Sequence, residues 1–240
     1  VWDISQGLAV SMETQNHKLL YDTATVGMAQ MNLIPNLHAQ GWRRLDALVL
    51  SHHDNDHAGG FDAVTAAFQP ETIWAGQPEF YPQAQLCADD IRWQWDGVHF
   101  EFLRPIGTFK ADNDQSCILR VVANGQALLL TGDLGFAGEQ ALVAQYGEDL
   151  YSQVLVLGHH GSASSSAAAF LDAVSPRWAI ASSGFANHYT DRLAPQRGPF
   201  TGYARGQRRR NCAPPCAWCP RPSPLMVARQ LGAGDALRPW

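Results

Sequence analysis

Three short apolar runs of the chain each end in side chains of the kinds that bind metal ions. The runs lie within "LDALVLS", "ALLLTGD" and "QVLVLGHHG". An apolar run of this length is typical of a strand that is buried on both faces. Strands of α/β folds deliver the residues that follow them to one edge of the sheet, where active sites form. The pattern therefore predicts a fold in which distant stretches meet at a single site.

The first run leads into the densest cluster of possible ligands. This cluster has three histidines and two aspartates in six positions, and its candidate ligands are His52, Asp54, Asp56 and His57. Neighbouring side chains of a tight turn can point to opposite sides, so this spacing can serve a pair of metal ions. The alternative is a solvated polar loop without a ligand function, but the density of nitrogen and oxygen donors favours a metal site.

The other runs supply the distant partners that a metal site needs. Asp133 ends the second run, and because a carboxylate has two oxygens with about four lone-pair sites, it can bridge two cations. The alternative role of Asp133 is to start a turn or to cap the next helix. His159 and His160 end the third run, and Ser162 follows them. Clusters at several strand ends favour a shared metal site over coincidence.

The order of the remaining elements predicts a layered α/β or α+β domain. Alternating residues around polar turns indicate β-hairpins in the first part of the chain, and strands then alternate with helices. Such elements build two sheets covered by helices. We expect a serine to cap the helix at "SSSAAAFLDAV" and the last strand to lie at "WAIASSG".

Composition and charge exclude several classes of protein. The 240 residues suffice for one sizeable domain, and the formal net charge of −5 gives no global basic field that would attract nucleic acid. No apolar run approaches the roughly 18 residues of a membrane span. The sequence shows no signal peptide, but it begins with Val1 rather than Met, so this absence says little about the compartment. The five cysteines do not predict a disulfide framework, since Cys87 and Cys117 stand alone.

The texture of the sequence changes near residue 190. We expect residues 1–189 to form the domain and residues 190–240 to form an irregular tail, rich in Arg, Pro and Cys, that is non-native or disordered. The tail has nine arginines against two acidic residues, and eight of the fourteen prolines. The alternative is a basic arm that binds the DNA backbone. Its cysteines would then form an incomplete zinc knuckle, which lacks an evident fourth ligand beside Cys212, Cys216 and Cys219.

The ordered motifs resemble those of a known family. "SHHDNDHAGG", "LLTGD" and "GHHGS" resemble the motif series of the metallo-β-lactamase superfamily. The form H-x-D-x-D-H, from His52 to His57, is similar to that of the carboxy-terminal, nuclease-like domain of the ComEC/Rec2 DNA-uptake (competence) proteins. "WDISQGLAV", "DNDQSCILRV" and "SSGFANHY" resemble further segments of that family. The resemblance covers about residues 1–189 and implies an αββα sandwich, complete or truncated at its C-terminal end.

The resemblance also implies roles for the matched residues. His52 and Asp54 would bind one metal ion, and Asp56 and His57 would bind the other. Asp133 would bridge the ions, and His159 would complete the ligand set. The implied catalytic residues are Asp56, Asp133 and His160. Because Asp54 replaces a customary histidine, the first site becomes richer in oxygen, and manganese competes with zinc as the cofactor.

Several residues are expected to support this site. The segment 113–116 stands where the wider superfamily places another histidine, so water, Asn113 or Ser116 would complete the first site. Asn113, Ser116 and Ser162 are the candidate substrate-binding residues. We expect Asp22 to orient the loop from His52 to His57, here called the metal loop, by hydrogen bonds. Asp3 either supports the site in the same way or satisfies backbone groups at a turn.

These features together predict a metal-dependent hydrolase with two divalent ions, Mn²⁺ or Zn²⁺. The resemblance implies a more specific hypothesis, a nuclease that cleaves the phosphodiester bonds of single-stranded DNA during natural transformation. The alternatives are another hydrolase of the superfamily, such as a phosphoesterase or lactonase, and an inactive module that binds DNA. The resemblance implies a soluble domain that is tethered to, or excised from, a channel protein of the inner membrane, on its extracytoplasmic face. Four tryptophans could stack on bases or belong to the core: Trp2, Trp74, Trp93 and Trp95.

Overall fold

The structure is a computed structural model that describes residues 1–109, residues 111–183 and the backbone of a strand at residues 202–205. Its framework is a pair of β-sheets with helices on their outer faces. The first sheet has the strand order β1-β2-β3-β4-β5. These strands are Val10–Glu13 (β1), Lys18–Tyr21 (β2), Ala47–Leu50 (β3), Thr72–Ala75 (β4) and Gln85–Leu86 (β5). β1 and β2 form the predicted antiparallel hairpin, whereas β2 to β5 run parallel.

The second sheet continues the chain from residue 92. Its strands are Arg92–Trp95 (β6), Val98–Leu103 (β7), Ile118–Ala123 (β8), Gln126–Leu130 (β9), Val154–Val156 (β10), Trp178–Ala181 (β11) and Gly202–Arg205 (β12). Their spatial order is β12-β11-β10-β9-β8-β7-β6. β6 to β9 are antiparallel and form the predicted hairpins, and β9 to β12 are parallel.

Helices connect the parallel strands and cover the sheets. They are Val26–Met28 (α1), Ile34–Ala39 (α2), Asn55–Ala58 (α3), Phe61–Phe68 (α4), Phe136–Tyr146 (α5) and Ala168–Val174 (α6). A π-helical turn, Ala29–Leu33, joins α1 to α2. Short 3-10 turns lie at Pro78–Phe80, Asp112–Gln115 and Gly147–Leu150. Within the part of the chain that the structure describes, no helix is both long and apolar enough to cross a membrane.

Consecutive residues of a strand point into different cores, which explains the apolar runs. In β3, Val49 packs in the core between the sheets, whereas Leu48 packs against the helices of the first sheet. In β9, Leu130 faces the central core, and Leu129 faces the core under α5 and α6. Strands that are buried on both faces read as continuous apolar stretches. The layers are helices, sheet, sheet and helices, so the expected αββα sandwich is confirmed.

The tryptophans considered as base-stacking residues pack in the cores of this sandwich or against them. Trp2 is buried, and Trp74 and Trp93 stack with their ring centroids 4.8 Å apart. Trp93 also stacks on Phe100 at 5.0 Å, and Trp95 packs against the same central cluster. These rings therefore belong to the core rather than to an open binding surface.

A disulfide joins the two sheets, contrary to what the cysteine pattern suggested. Cys87 follows β5 and Cys117 precedes β8, and their Cα atoms are 5.8 Å apart. The expectation that both cysteines stand alone was wrong. They are separated by 30 positions in the chain, and sequence spacing does not show which strand ends meet across two packed sheets.

Helix α6 is capped by a carboxylate from another helix rather than by a serine. Its N-cap residue, Ala167, offers no side-chain hydrogen bond. The carboxylate of Glu139, on α5, accepts hydrogen bonds from the backbone N–H groups of Ser166 and Ala167, the second at 2.8 Å. The predicted serine cap was therefore wrong, because the partner lies 28 positions earlier in the chain, where local sequence does not show it.

The second sheet does not end at the strand expected to be the last. β12 pairs in parallel with β11, so the prediction that "WAIASSG" forms the last strand was wrong. The four residues of β12 are too few to show a strand pattern in the sequence. β12 lies within the predicted irregular tail. The rest of that tail lies outside the described residues, so the division of the chain at residue 189 stays a prediction.

The buried cap at Glu139 predicts a pH dependence of stability. Burial raises the pKa of Glu139 to about 7 from its ordinary 4.5, and the neighbouring Asp114 carboxylate acts in the same direction. The folded state therefore holds the proton more tightly than the unfolded chain, and stability falls as pH rises from about 4.5 through about 7. We predict that Glu139→Gln, which cannot ionise, loses this decline. The stability difference between wild type and variant should shift by up to ~3 kcal/mol between about pH 5 and pH 8, in favour of the wild type at low pH.

Urea unfolding across this range measures the effect, and Glu148→Gln, at an exposed glutamate, is the matched control. Parallel pH profiles for wild type and Glu139→Gln would contradict the prediction.

Candidate metal centre

The loop after β3 is fixed at its base by a buried carboxylate. Asp22 follows β2, is fully buried, and accepts hydrogen bonds from the backbone N–H of Ser51 at 2.7 Å and from its hydroxyl at 2.8 Å. The same carboxylate contacts Nδ1 of His57 at 2.8 Å. Asp22 therefore joins the ends of neighbouring strands and orients a candidate ligand. The supporting role of Asp22 stays a prediction, with which these contacts agree.

His57 lies at the centre of the site. Because Asp22 holds its Nδ1, its Nε2 faces inward, 3.0 Å from Oδ1 of Asp133 and 3.2 Å from Nε2 of His160. A histidine whose other ring nitrogen is held by a carboxylate is typical of metal sites. Burial disfavours the charged imidazole, yet the carboxylates of Asp133 and Asp22 raise the pKa of His57 well above its ordinary value.

Asp133 enters the site from the end of β9. The turn before it needs glycine: Gly132 has φ +56°, and a Cβ there would lie 2.6 Å from Cβ of Ser51. Asp133 is 4% exposed, and its oxygens face different partners. Oδ1 faces His57, whereas Oδ2 lies 3.7 Å from Nε2 of His160. Burial opposes the charge on Asp133, but His57 and the other imidazoles lower its pKa below the ordinary value.

The turn after β10 separates two consecutive histidines. His159 and His160 both have left-handed backbone angles, with φ of 49° and 56°, which non-glycine residues adopt at a cost. Their rings diverge, with centroids 6.5 Å apart and planes at 75°. His160 turns inward: its Nδ1 donates to the carbonyl of Ser182 at 2.8 Å, and its Nε2 lies 3.1 Å from Oδ2 of Asp56. His159 is about one-third exposed, and its Nδ1 contacts the hydroxyl of Ser164 at 3.0 Å.

Two groups of side chains are arranged so that each could hold a metal ion. The groups are His52, His57 and Asp133, and Asp56, His57 and His160, and in each the ligand atoms lie within 4.8 Å of one another. His57 is common to both. Among the described residues, neither Asp54 nor His159 belongs to either group.

These two residues nevertheless lie beside the groups. Oδ2 of Asp54 is 3.3 Å from Nε2 of His52, although most of this carboxylate faces solvent. Nε2 of His159 is 3.9 Å from Oδ2 of Asp133. The structure thus brings together most of the predicted ligands, with His160 rather than His159 inside the cluster.

The polar atoms of the first group fit a cation. Nε2 of His52 and Oδ1 of Asp133 are buried, and within the described chain neither makes a hydrogen bond of good geometry, although Asp54 and His57 lie at ion-pair distance from them. Buried polar atoms normally have partners, and a bound cation would satisfy both. Burial lowers the pKa of His52, so its imidazole is held in the neutral form that binds metals.

In the second group, Asp56 is held ionised. Burial opposes its charge, but the hydrogen bond from His160 and the proximity of His57 lower the pKa of Asp56 to about 2. A carboxylate in this state offers oxygen ligands at any physiological pH.

The predicted supporting residues lie in different positions. Ser116 is buried beside the site, where its hydroxyl accepts from the backbone N–H of Asp133 at 3.4 Å and donates to the carbonyl of Asn113 at 2.7 Å. The hydroxyl of Ser162 is 3.2 Å from that of Ser164. Asp3 is exposed, and its backbone carbonyl accepts a hydrogen bond from Asn32. The substrate-binding and supporting roles of these residues stay predictions.

Sequence reasoning missed two serines that position candidate ligands. The hydroxyl of Ser51 lies 3.0 Å from Nδ1 of His52, and the carbonyl of Ser182 holds His160. Ser51 directly precedes the ligand cluster, and Ser182 lies in the "SSG" segment noted for its resemblance. Proximity in the chain was thus a signal for Ser51, but no pattern could show that a backbone carbonyl of residue 182 reaches a histidine.

Comparison with known proteins identifies the family to which the chain belongs. The profile described as the metallo-beta-lactamase superfamily matches residues 2–184. The chain belongs to the metallo-β-lactamase superfamily, whose members typically bind divalent metal ions. A solved relative, the metallo-beta-lactamase fold protein YhfI from Bacillus subtilis, is 13% identical with a TM-score of 0.50, over 84% of this chain and 92% of that one. At this identity the likeness supports the fold alone.

Two relatives of similar sequence indicate which branch of the superfamily the chain resembles. Competence protein ComA of Neisseria gonorrhoeae is 60% identical over 190 residues, which are 79% of this chain and 27% of the relative. Recombination protein 2 of Haemophilus influenzae is 35% identical over 189 residues, which are 76% of this chain and 24% of the relative. The chain thus spans about a quarter of the length of these relatives. The resemblance to the metallo-β-lactamase-like domain of ComEC/Rec2 proteins is confirmed.

His159 and His160 point in different directions, so substitution of each can test which of them binds metal. We predict that His160→Ala lowers metal affinity by at least the ~10–100-fold that loss of a residue supporting a ligand costs, because the inward ring would be lost. His159→Ala should leave metal affinity nearly unchanged, because its ring lies outside both ligand groups. Competition with a chromophoric chelator measures both affinities in the same assay. A loss in His159→Ala that equals or exceeds the loss in His160→Ala would show that the outer ring is the ligand.

Proposed function

We propose that the chain is a metal-dependent nuclease that cleaves the phosphodiester bonds of single-stranded DNA during DNA uptake. The observation that carries this proposal is the pair of adjacent ligand groups that share His57, with Oδ1 of Asp133 facing His57 and Oδ2 of Asp133 lying 3.7 Å from His160. Paired cations suit phosphodiester hydrolysis, in which charge develops on several oxygens at once. The printed names of the relatives, a competence protein and a recombination protein, favour DNA as the substrate.

The proposed cofactors are two divalent metal ions. We assign His52, His57 and Asp133 to one ion and Asp56 and His160 to the other, with Asp54 as a further oxygen donor and Asp133 as the bridge. When bound, such a pair supplies an activated water and stabilises the negative charge that develops on the phosphate. Three of these donors are carboxylates, and oxygen-rich sites favour Mn²⁺ over Zn²⁺.

The residues of the chain hold and orient the reacting groups. Asp22 keeps the ring of His57 in place, and the carbonyl of Ser182 does the same for His160. Asp56 is 27% exposed in its side chain, so its carboxylate can also accept a hydrogen bond from the attacking water and orient it. His159 is about one-third exposed beside Asp133, and we assign it a contact with the substrate phosphate rather than a place among the ligands.

The disulfide supports an extracytoplasmic location. Disulfides persist in oxidising compartments and are rare in the cytosol, and Cys87 pairs with Cys117 across the two sheets. The competence relatives are about four times longer than the matched region, so the proposal includes attachment to a membrane channel protein. Single-stranded DNA and that channel are the proposed partners.

The bridging carboxylate gives the sharpest test of hydrolysis. We predict that Asp133→Ala lowers cleavage of a single-stranded oligonucleotide by at least about a hundredfold, because charge stabilisation at both ions is lost, while the fold is retained. The assay uses chelated protein to which Mn²⁺ is restored. Asp149→Ala, at an exposed aspartate of the 147–150 turn, is the matched control. Wild-type turnover in Asp133→Ala with two equivalents of metal still bound would refute the assignment.

Metal choice follows from the same donors. We predict stronger activation by Mn²⁺ than by Zn²⁺, and a partial gain of Zn²⁺ activity in Asp54→His, since an imidazole softens the first site. Initial rates at saturating metal measure this, with Asp112→His at an exposed aspartate as the control. Equal activation of the parent protein by both ions would contradict the argument from oxygen donors.

A substrate panel separates the remaining hypotheses. Hydrolysis of small phosphoesters or lactones, with single-stranded DNA left intact, would indicate another hydrolase of the superfamily. DNA binding without bound metal or turnover would indicate an inactive binding module.

A further inference from the structure

One histidine of the metal loop belongs to neither ligand group. His53 lies between His52 and Asp54 in the chain, and it is exposed. An exposed side chain normally samples several rotamers, but this residue is held by three contacts. Its backbone N–H donates to Oε1 of Gln77 at 2.9 Å, and its Nδ1 lies 2.7 Å from the hydroxyl of Tyr81. The third contact is an aromatic ring that stacks on the imidazole of His53.

The ring stacked on His53 is an exposed phenylalanine. Phe80 ends the 3-10 turn after β4, and its centroid is 3.9 Å from that of His53, with the planes inclined by only 12°. Phe80 nevertheless remains 49% exposed. The pair of rings defined by His53 and Phe80, here called the aromatic shelf, is therefore both rigid and open to solvent.

Tyr81 anchors the aromatic shelf to the metal loop. Its ring is 6% exposed and packs on Phe61 with centroids 4.8 Å apart, so the hydroxyl that holds His53 cannot move freely. The shelf lies beside the metal loop because the hydroxyl of Tyr81 is 2.7 Å from Nδ1 of His53, which directly precedes Asp54 in the chain.

We propose that the aromatic shelf is a subsite that stacks a nucleobase next to the phosphate under attack. This inference rests on the proposed nuclease function and names how that site recognises its substrate. A base has an apolar π-face whatever its identity, so stacking holds a single strand without selecting a sequence. In a duplex the bases stack on one another, so the shelf favours single strands. His53 fixes the plane of Phe80, and its covalent place between two candidate ligands keeps that plane in register with the phosphate.

The tryptophans cannot perform this task. Trp74 and Trp93 are half-buried and stack on each other against the central core, and Trp2 is buried. Of these aromatic groups, only the shelf combines an open ring with a direct link to the metal loop.

The test compares a thymidine oligonucleotide with an abasic oligomer of the same length. The Mn²⁺-loaded full chain is assayed on both, and KM and kcat are measured separately. Phe80→Ala should raise KM for the thymidine oligonucleotide by ~5- to 150-fold, the effect of losing one stacked base, and should leave the abasic oligomer unaffected. Phe80→Trp should retain the wild-type KM, whereas Phe80→Leu, which keeps apolar surface without a ring, should behave like Phe80→Ala.

The matched control is Tyr151→Ala. Tyr151 is also 49% exposed, but it precedes the amino end of β10, away from the metal loop. This variant should match the wild type on both substrates. Thermal unfolding checks that all variants are folded.

Each outcome decides the proposal. An unchanged KM in Phe80→Ala, or an equal change on both oligomers, would overturn the aromatic shelf while leaving the nuclease intact. If the wild type cleaves neither oligomer, the nuclease proposal fails, and equilibrium binding of the same oligomers then decides the shelf. A loss of affinity in Phe80→Ala that is confined to the thymidine oligonucleotide would support stacking even then, and equal affinities would refute it.

Discussion

The site depends on one fully buried carboxylate, that of Asp22. A buried charge is costly unless it is fully hydrogen-bonded, and this one is satisfied by Ser51 and His57. These bonds join the end of β2 to the loop after β3, so the position of the metal loop is set by the packing of the sheet. The imidazole of His57 is thereby turned toward Asp133 and His160. The rigid strands and the hydrogen-bonded carboxylate of Asp22 together hold the candidate ligands in place. Without this support, these buried polar groups would repel one another.

The rest of the site stores strain around this anchor. His159 and His160 both adopt backbone angles that cost free energy in non-glycine residues, and Gly132 permits a contact that any side chain would block. The sandwich stabilises these conformations, because the turns that carry them begin at strands buried on both faces. The buried layers thus support the strained turns at their edge, where the candidate metal ligands lie.

The sequence predicted those parts of the structure that follow from local pattern. The apolar run of β3 and the polar cluster after it were sufficient to place His52 and His57 at a strand end, and the order of motifs indicated the family. The inward ring of the pair His159–His160 could not be predicted, because the backbone dihedrals of one turn decide it. The cap provided by Glu139 and the bond between Cys87 and Cys117 were equally hidden, since each joins elements that only tertiary packing brings together. Phe80 gave no signal at all, because an exposed phenylalanine is ordinary until its neighbour is known.

His57 belongs to both ligand groups, and this has a consequence for the order in which metal ions would bind. An imidazole nitrogen has one lone pair, and Nδ1 of this ring is already held by Asp22. Nε2 can therefore coordinate a single ion, although it belongs to both ligand groups. In the proposed two-ion centre, occupation of one group would remove a donor from the other, so the two binding events would be thermodynamically coupled and would oppose each other. The second of the proposed ions would then need an oxygen donor in place of the shared nitrogen. Titration with metal should in that case proceed in two separated steps.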